Sequence, residues 1–228
     1  MTVYVCGDSF ACSDLEYGPN WVDILTKKLQ GRINLVNMSR VCASNTQIAL
    51  QVDRAIANQA SYVIYLATSS VRDDVPFNVL KNNQELLDRF VDITNPENGK
   101  NLTSYSVHNL NNTTLFDNLQ LSVLKQYHAN FFDIDIAVYR NSLIIEAVLS
   151  KLKTSNIPFV FDQGGFEHKS FLNSKKNYFD TYKNYRSEIC VWDYVTKKLK
   201  HRPYYHIEDR HIHEEIAEYY YNLINEKT

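Results

Sequence analysis

Three short β-rich runs, TVYVC (2–6), residues 33–36 and SYVIYLA (61–67), alternate with two stretches of helical rhythm. SYVIYLA is the most constraining of them. A short, nearly unbroken apolar run is what a strand covered on both faces requires. From Asn20 onward, Trp21, Ile24, Leu25, Lys28 and Leu29 keep an i, i+3, i+4 spacing. All are apolar except Lys28, whose aliphatic stem can lie along an apolar surface. Ser44 or Asn45 can cap the next helix, whose inner face is Ile48, Ala49, Val52, Ala55 and Ile56. A β-α-β-α-β order favours a parallel sheet with helices on both sides. The expected fold is therefore α/β, a three-layer α/β/α sandwich around a central parallel sheet.

The remainder of the chain is less regular. Residues 93–118 are polar and asparagine-rich and read as a long insertion or mobile loop. A helix is expected from about Asp133 to Lys153, and IPFVFD (157–162) reads as a fourth strand ended by Gly164-Gly165. Residues 166–187 carry no assignable element, and Ile189 to Trp192 read as a short strand or buried turn. A closing helix starts near Asp209, with Ile212, Ile216, Tyr220, Leu223 and Ile224 inward. With no internal repeat or linker, residues 1–228 read as one domain.

Composition excludes several classes of function. A net charge of -2 leaves no basic excess for phosphates, so no nucleic-acid partner is expected. No apolar run is long enough to span a bilayer, so no membrane partner is expected either. The opening MTVYVCGDSF lacks the basic and apolar regions of a signal peptide. Cys6, Cys12, Cys42 and Cys190 form no CxxC pair. Free thiols in a reducing compartment follow, and a cytoplasmic or virion-associated location with them.

Ligands in open α/β sheets sit at the carboxyl ends of the strands. Three polar segments fall there: Gly7-Asp8-Ser9, Ser39 to Asn45, and Thr68 to Asp74. A serine at the turn after the first strand presents its hydroxyl at that edge, beside backbone N–H groups able to face a developing oxyanion. The plainer alternative is that Ser9 caps a turn and Asp8 accepts from a backbone amide.

The order of these segments resembles the SGNH (GDSL-type) hydrolases, over nearly the whole chain from Val3 to Ile224. It also resembles a divergent subgroup common in bacteriophage genomes, through Ala43-Ser44-Asn45 after the second strand and Thr68-Ser69-Ser70-Val71-Arg72 after the third. The resemblance implies a serine esterase that needs no cofactor and no metal. Its substrate would be a small-molecule, carbohydrate or lipid ester, with an acyl or acetyl group transferred to water. Ser9 would be the nucleophile. The N–H groups of Ser9 and Cys42, with Asn45 or Arg72, would hold the oxyanion. Cys42 stands where the family has a glycine, and the family's asparagine after the third strand is absent. A helix cap for Asn45 and an ion pair for Arg72 are the structural alternatives.

The base is expected just ahead of the last helix, which favours His206. Pro203 occupies the family's acid position three residues earlier. With His211 as base, Glu208 would stand at the right spacing to orient it. His206, His211, His213 and Asp209 also invite a metal, but His211 and His213 are two apart on a helix and do not share a face. Two other functions fit the same pattern: a catalytically degenerate SGNH-like binding or assembly protein of viral type, and an acyltransferase using the same residues.

Overall fold

The computed structural model describes residues 1–12, 19–40, 43–76, 102–106, 118–164, 166, 179–191 and 210–226. Four strands, β1 (Thr2–Cys6), β2 (Asn34–Asn37), β3 (Tyr62–Leu66) and β6 (Phe159–Asp162), form an all-parallel sheet in the order β2-β1-β3-β6. Val3 pairs with Leu35 on one side and with Tyr62 on the other, and Ile64 pairs with Val160. The segment after Tyr185 covers the outer edge of β6: Arg186 bridges Phe161, and Ser187 N–H donates to its carbonyl at 2.7 Å.

Successive side chains of a strand point to opposite faces, and both faces here are buried. Tyr4, Cys6, Val63, Tyr65, Phe159 and Phe161 meet α2 (Asn45–Ala57) and α4 (Ile134–Thr154). Val3, Val5, Tyr62, Ile64, Leu66 and Val160 meet α1 (Trp21–Leu29) and α5 (Arg210–Asn225). The three layers are thus those expected. In the second core Trp21 stacks on Tyr220, centroids 4.8 Å apart, joining α1 to α5.

Local chemistry sets the helix starts. Asn20 accepts from the Val22 and Asp23 amides while Asp23 accepts from the Asn20 amide, a closed capping box. Ser44, not Asn45, caps α2, and Asp133 caps α4. The last turn of α1 carries Lys27 and Lys28, which suits the negative end of the helix dipole.

Part of the chain departs from expectation. The segment read as an insertion contains β5 (Leu102–Ser106), antiparallel to β4 (Arg72–Pro76) with Arg72 opposite Ser106. Polar RDDVP and LTSYS show no apolar alternation, because this two-stranded ribbon lies outside the main sheet. A helix without a clear sequence counterpart, α3 (Asn118–Asn130), precedes α4, and Leu119, Val123 and Tyr127 on it are exposed. Residues 180–185 make a 3₁₀ helix, and Phe166 and Phe179 beside it are buried in the first core. Val191 is likewise buried.

Candidate functional site

β1 delivers Gly7-Asp8-Ser9 to the carboxyl edge of the sheet, between β2 and β3. Gly7 is buried, and its backbone is gripped by a side chain of α2. Gly7 N–H donates to Gln51 Oε1 at 2.7 Å, and Gln51 Nε2 donates to the Gly7 carbonyl at 3.1 Å. That carbonyl also accepts from Arg40 N–H at 3.2 Å. A side chain at Gly7 would press on Leu66 Cβ at 3.2 Å.

Asp8 is the centre of the next layer and is 3% exposed. Its Oδ1 accepts from Phe10 N–H at 3.0 Å, an Asx-type turn. Its Oδ2 accepts from Thr68 Oγ1 at 2.6 Å and forms an ion pair with Arg72 Nη1 at 3.0 Å. The Asp8 carbonyl accepts from the Ala11 and Cys12 amides at 3.1 and 3.0 Å. Phe10 is held from the other side, its carbonyl accepting from Trp21 Nε1 at 2.7 Å.

Ser9 therefore lies between two fixed residues. It is half-buried, and neither its hydroxyl nor its N–H is hydrogen-bonded to any described residue. In a turn where the flanking polar groups are engaged, this leaves one hydroxyl and one backbone donor at the ligand edge.

The other expected site residues divide into three groups. Asn45 and Arg72 converge on the Ser9 turn, but as its scaffold. Asn45 is fully buried and its amide is committed: Oδ1 accepts from Thr68 N–H, and Nδ2 donates to the Thr68 carbonyl and to Asn141 Oδ1, each at 2.9 Å. It has no amide hydrogen left for an oxyanion. Arg72 pairs with Asp8 and also donates to the Ala43 carbonyl at 3.1 Å. The ion pair weighed for Arg72 is thus present, with a buried partner. His211 forms the second group alone. It lies in the first turn of α5, with its side chain 73% exposed and Nε2 3.0 Å from Glu215 Oε1. Cys42, His206 and Glu208 form the third and lie outside the described residues, as do Pro203 and Asp209.

His213, two residues on, is the buried histidine of this end of α5. Its Nδ1 accepts from Trp21 N–H at 3.1 Å. A ring nitrogen that accepts carries no proton, so the imidazole is neutral with its proton on Nε2.

Asp8, Gln51 and Asn141 are site residues that the sequence pattern does not single out. Gln51 lies on the inner face of α2 among Ile48, Val52 and Ala55, and Asn141 on that of α4 among Ala137, Val138 and Ile145. A polar side chain on an otherwise apolar stripe was the available clue, since buried polar groups are kept where they find partners.

At the end of β6, Asp162 is buried and accepts from Gly164 N–H and Val191 N–H, each at 2.8 Å, and from Tyr220 Oη at 3.2 Å. Burial pushes its carboxyl up to about 6, against the lowering effect of these donors. Gly164 has φ +56 and no room for a side chain, an added Cβ falling 1.8 Å from the Ala67 carbonyl oxygen. Burial also pushes the Cys6 thiol well up, which removes it as a nucleophile. Among the described residues no three His, Cys, Asp or Glu side chains come together to hold a metal ion. No helix among them is long and apolar enough to cross a membrane.

The chain matches no protein-family model and no curated protein sequence. Its class is therefore defined by architecture, a three-layer α/β/α sandwich with a parallel sheet.

Proposed function

We propose that the protein is a serine acyl-ester hydrolase of SGNH type. The observation that carries this reading is Ser9, whose hydroxyl and N–H are unengaged by any described residue on a turn whose flanking residues are pinned on both sides. Holding a nucleophile in place before substrate arrives lowers the barrier without reorganisation at the moment of reaction.

In this mechanism Ser9 Oγ attacks the acyl carbon while His206 takes its proton. The negative charge that forms on the carbonyl oxygen is held by the N–H groups of Ser9 and Cys42. His206 returns the proton to the departing alcohol, leaving an acyl-serine. Water, deprotonated by the same histidine, releases the acid and restores Ser9. Acyl and acetyl esters on carbohydrates or lipids are the substrate class that the resemblance implies. An acyltransferase would follow the same path with an alcohol in place of water.

The rival reading, a degenerate binding or assembly protein, has one observation in its favour: the Asn45 amide is fully used within the scaffold. One experiment separates the two. A fluorophosphonate probe labels the wild-type protein at Ser9 and fails on Ser9→Ala, and aryl-ester turnover falls at least about a thousandfold in that variant. No labelling and no turnover on a broad ester panel would establish the binding protein instead. Faster deacylation with added alcohol than with water would make it a transferase.

A further inference from the structure

Resting on the reading of Ser9 as nucleophile, we propose that Arg72 acts on the reaction through Asp8. The two form a compensated charge pair that lets a carboxylate hold the Ser9 turn without opposing the oxyanion beside it.

The turn needs an acceptor at Asp8. Three groups converge on this side chain from two directions: Phe10 N–H donates to Oδ1, Thr68 Oγ1 donates to Oδ2, and the Arg72 guanidinium pairs with Oδ2. An ionised carboxylate is acceptor-only, with capacity for all three, whereas an asparagine would turn an NH₂ toward one set of donors. The carboxylate therefore fixes the geometry of the turn. It also carries a negative charge one residue from the atom that must support a negative intermediate, at a position where its side chain is only 4% exposed. Charges interact more strongly with less water around them, so an uncompensated Asp8 would raise the energy of the oxyanion.

Arg72 removes that penalty. Its guanidinium is 12% exposed and 3.0 Å from Asp8 Oδ2. The same Nη1 donates to the Ala43 carbonyl, which holds the head group against the wall of the site. Arg72 also begins β4, and Ser44 Oγ donates to Asp74 Oδ1 on the same strand at 2.6 Å. Two residues of β4 thus anchor the root of the β4–β5 ribbon beside the nucleophile turn. Thr68 supplies geometry to Asp8, and Arg72 supplies charge. Arg72 is accordingly a positioning residue, and its expected signature is electrostatic dependence on Asp8 rather than contact with substrate.

The test is a double-mutant cycle on the full chain, read as the fluorophosphonate labelling rate of Ser9 and as kcat and KM on a short-chain aryl ester. Arg72→Met leaves Asp8 uncompensated and lowers labelling and kcat about 10- to 100-fold, with KM little changed. Arg72→Lys restores most of the rate, because it keeps the charge. Asp8→Asn combined with Arg72→Met is faster than Arg72→Met alone, since both charges are then gone. Removal of both partners of a buried pair is also better tolerated by the fold than removal of one, so the double variant remains informative where Arg72→Met is poorly folded. Losses that multiply in the double variant, or a rise in KM at constant kcat for Arg72→Met, would overturn the pair alone. No labelling of the wild type would overturn the hydrolase reading and this inference with it.

Discussion

Gln51 holds Gly7 by both groups of its side-chain amide, accepting from the Gly7 N–H at 2.7 Å and donating to its carbonyl at 3.1 Å. The amide occupies the place of a neighbouring strand for one residue beyond the end of β1. It prolongs strand-like pairing to the point where the chain turns into Asp8 and Ser9. Both residues are buried, so neither backbone group of Gly7 has water as an alternative.

Gln51→Leu keeps the size of the side chain and removes both bonds. An unsatisfied buried donor or acceptor costs about 1–3 kcal/mol. The variant is expected to lose about 2–4 kcal/mol in urea denaturation, the Gly7 carbonyl keeping Arg40 N–H as one donor. A loss below about 0.5 kcal/mol would mean that Gly7 is held by the sheet alone.

Tyr65 presents the opposite case. Its ring is fully buried against Phe161, and its hydroxyl has no hydrogen-bond partner among the described residues. Tyr65→Phe removes an unsatisfied group and leaves the packing in place. Stability is expected to rise by about 1 kcal/mol, which is roughly 2–4 °C in Tm for a chain of this size. A fall in Tm would show that the hydroxyl is satisfied in solution.

Asp162 makes stability depend on pH. Its folded carboxyl titrates at about 6, above the ordinary 3.8, because burial outweighs the donors around it. A raised acid binds its proton more tightly when folded, so stability is greatest below the unfolded value. It then declines as pH rises from about 4 through about 6, and is level above that. The span of the decline is at most about 3 kcal/mol. Asp162→Asn is expected to be less stable throughout, since its NH₂ faces donors, but to lose this slope. The measurement is urea denaturation at a series of pH values, and an unchanged slope between pH 4 and 6 would assign the effect to other groups.

What could be read in the sequence follows from range. The strands and their covering helices declared themselves locally, through apolar runs and 3.6-residue stripes. The position of Ser9 followed from strand order and the carboxyl-edge rule. The partnerships that make the site did not. Gln51 reaches Gly7 across 44 residues, Thr68 reaches Asp8 across 60, and Asn141 reaches Asn45 across 96. Such bonds exist only once the layers have assembled. Asn45 illustrates the consequence: its place at the edge was legible, whereas the commitment of its amide was not. The β4–β5 ribbon is not legible for a different reason, since RDDVP and LTSYS carry no hydrophobic period.

The histidines at the start of α5 divide by environment, and this fixes the last prediction. His211 is exposed and lies against Glu215 one turn along the same helix, so its contribution is that of a surface pair. His213 is buried and uses Nδ1 to accept from Trp21 N–H, which ties α5 to α1. His206 precedes the helix and is the base in the proposed mechanism. Three alanine variants should therefore separate three roles. His206→Ala is expected to abolish ester turnover and slow probe labelling of Ser9. His211→Ala should retain most activity and most stability, with any change below about 0.5 kcal/mol. His213→Ala should cost about 1–3 kcal/mol in stability by orphaning the Trp21 amide in a buried site, with kcat close to wild type at temperatures where the variant is folded. Activity lost in His211→Ala but kept in His206→Ala would move the base to His211 and make Glu208 its orienting acid.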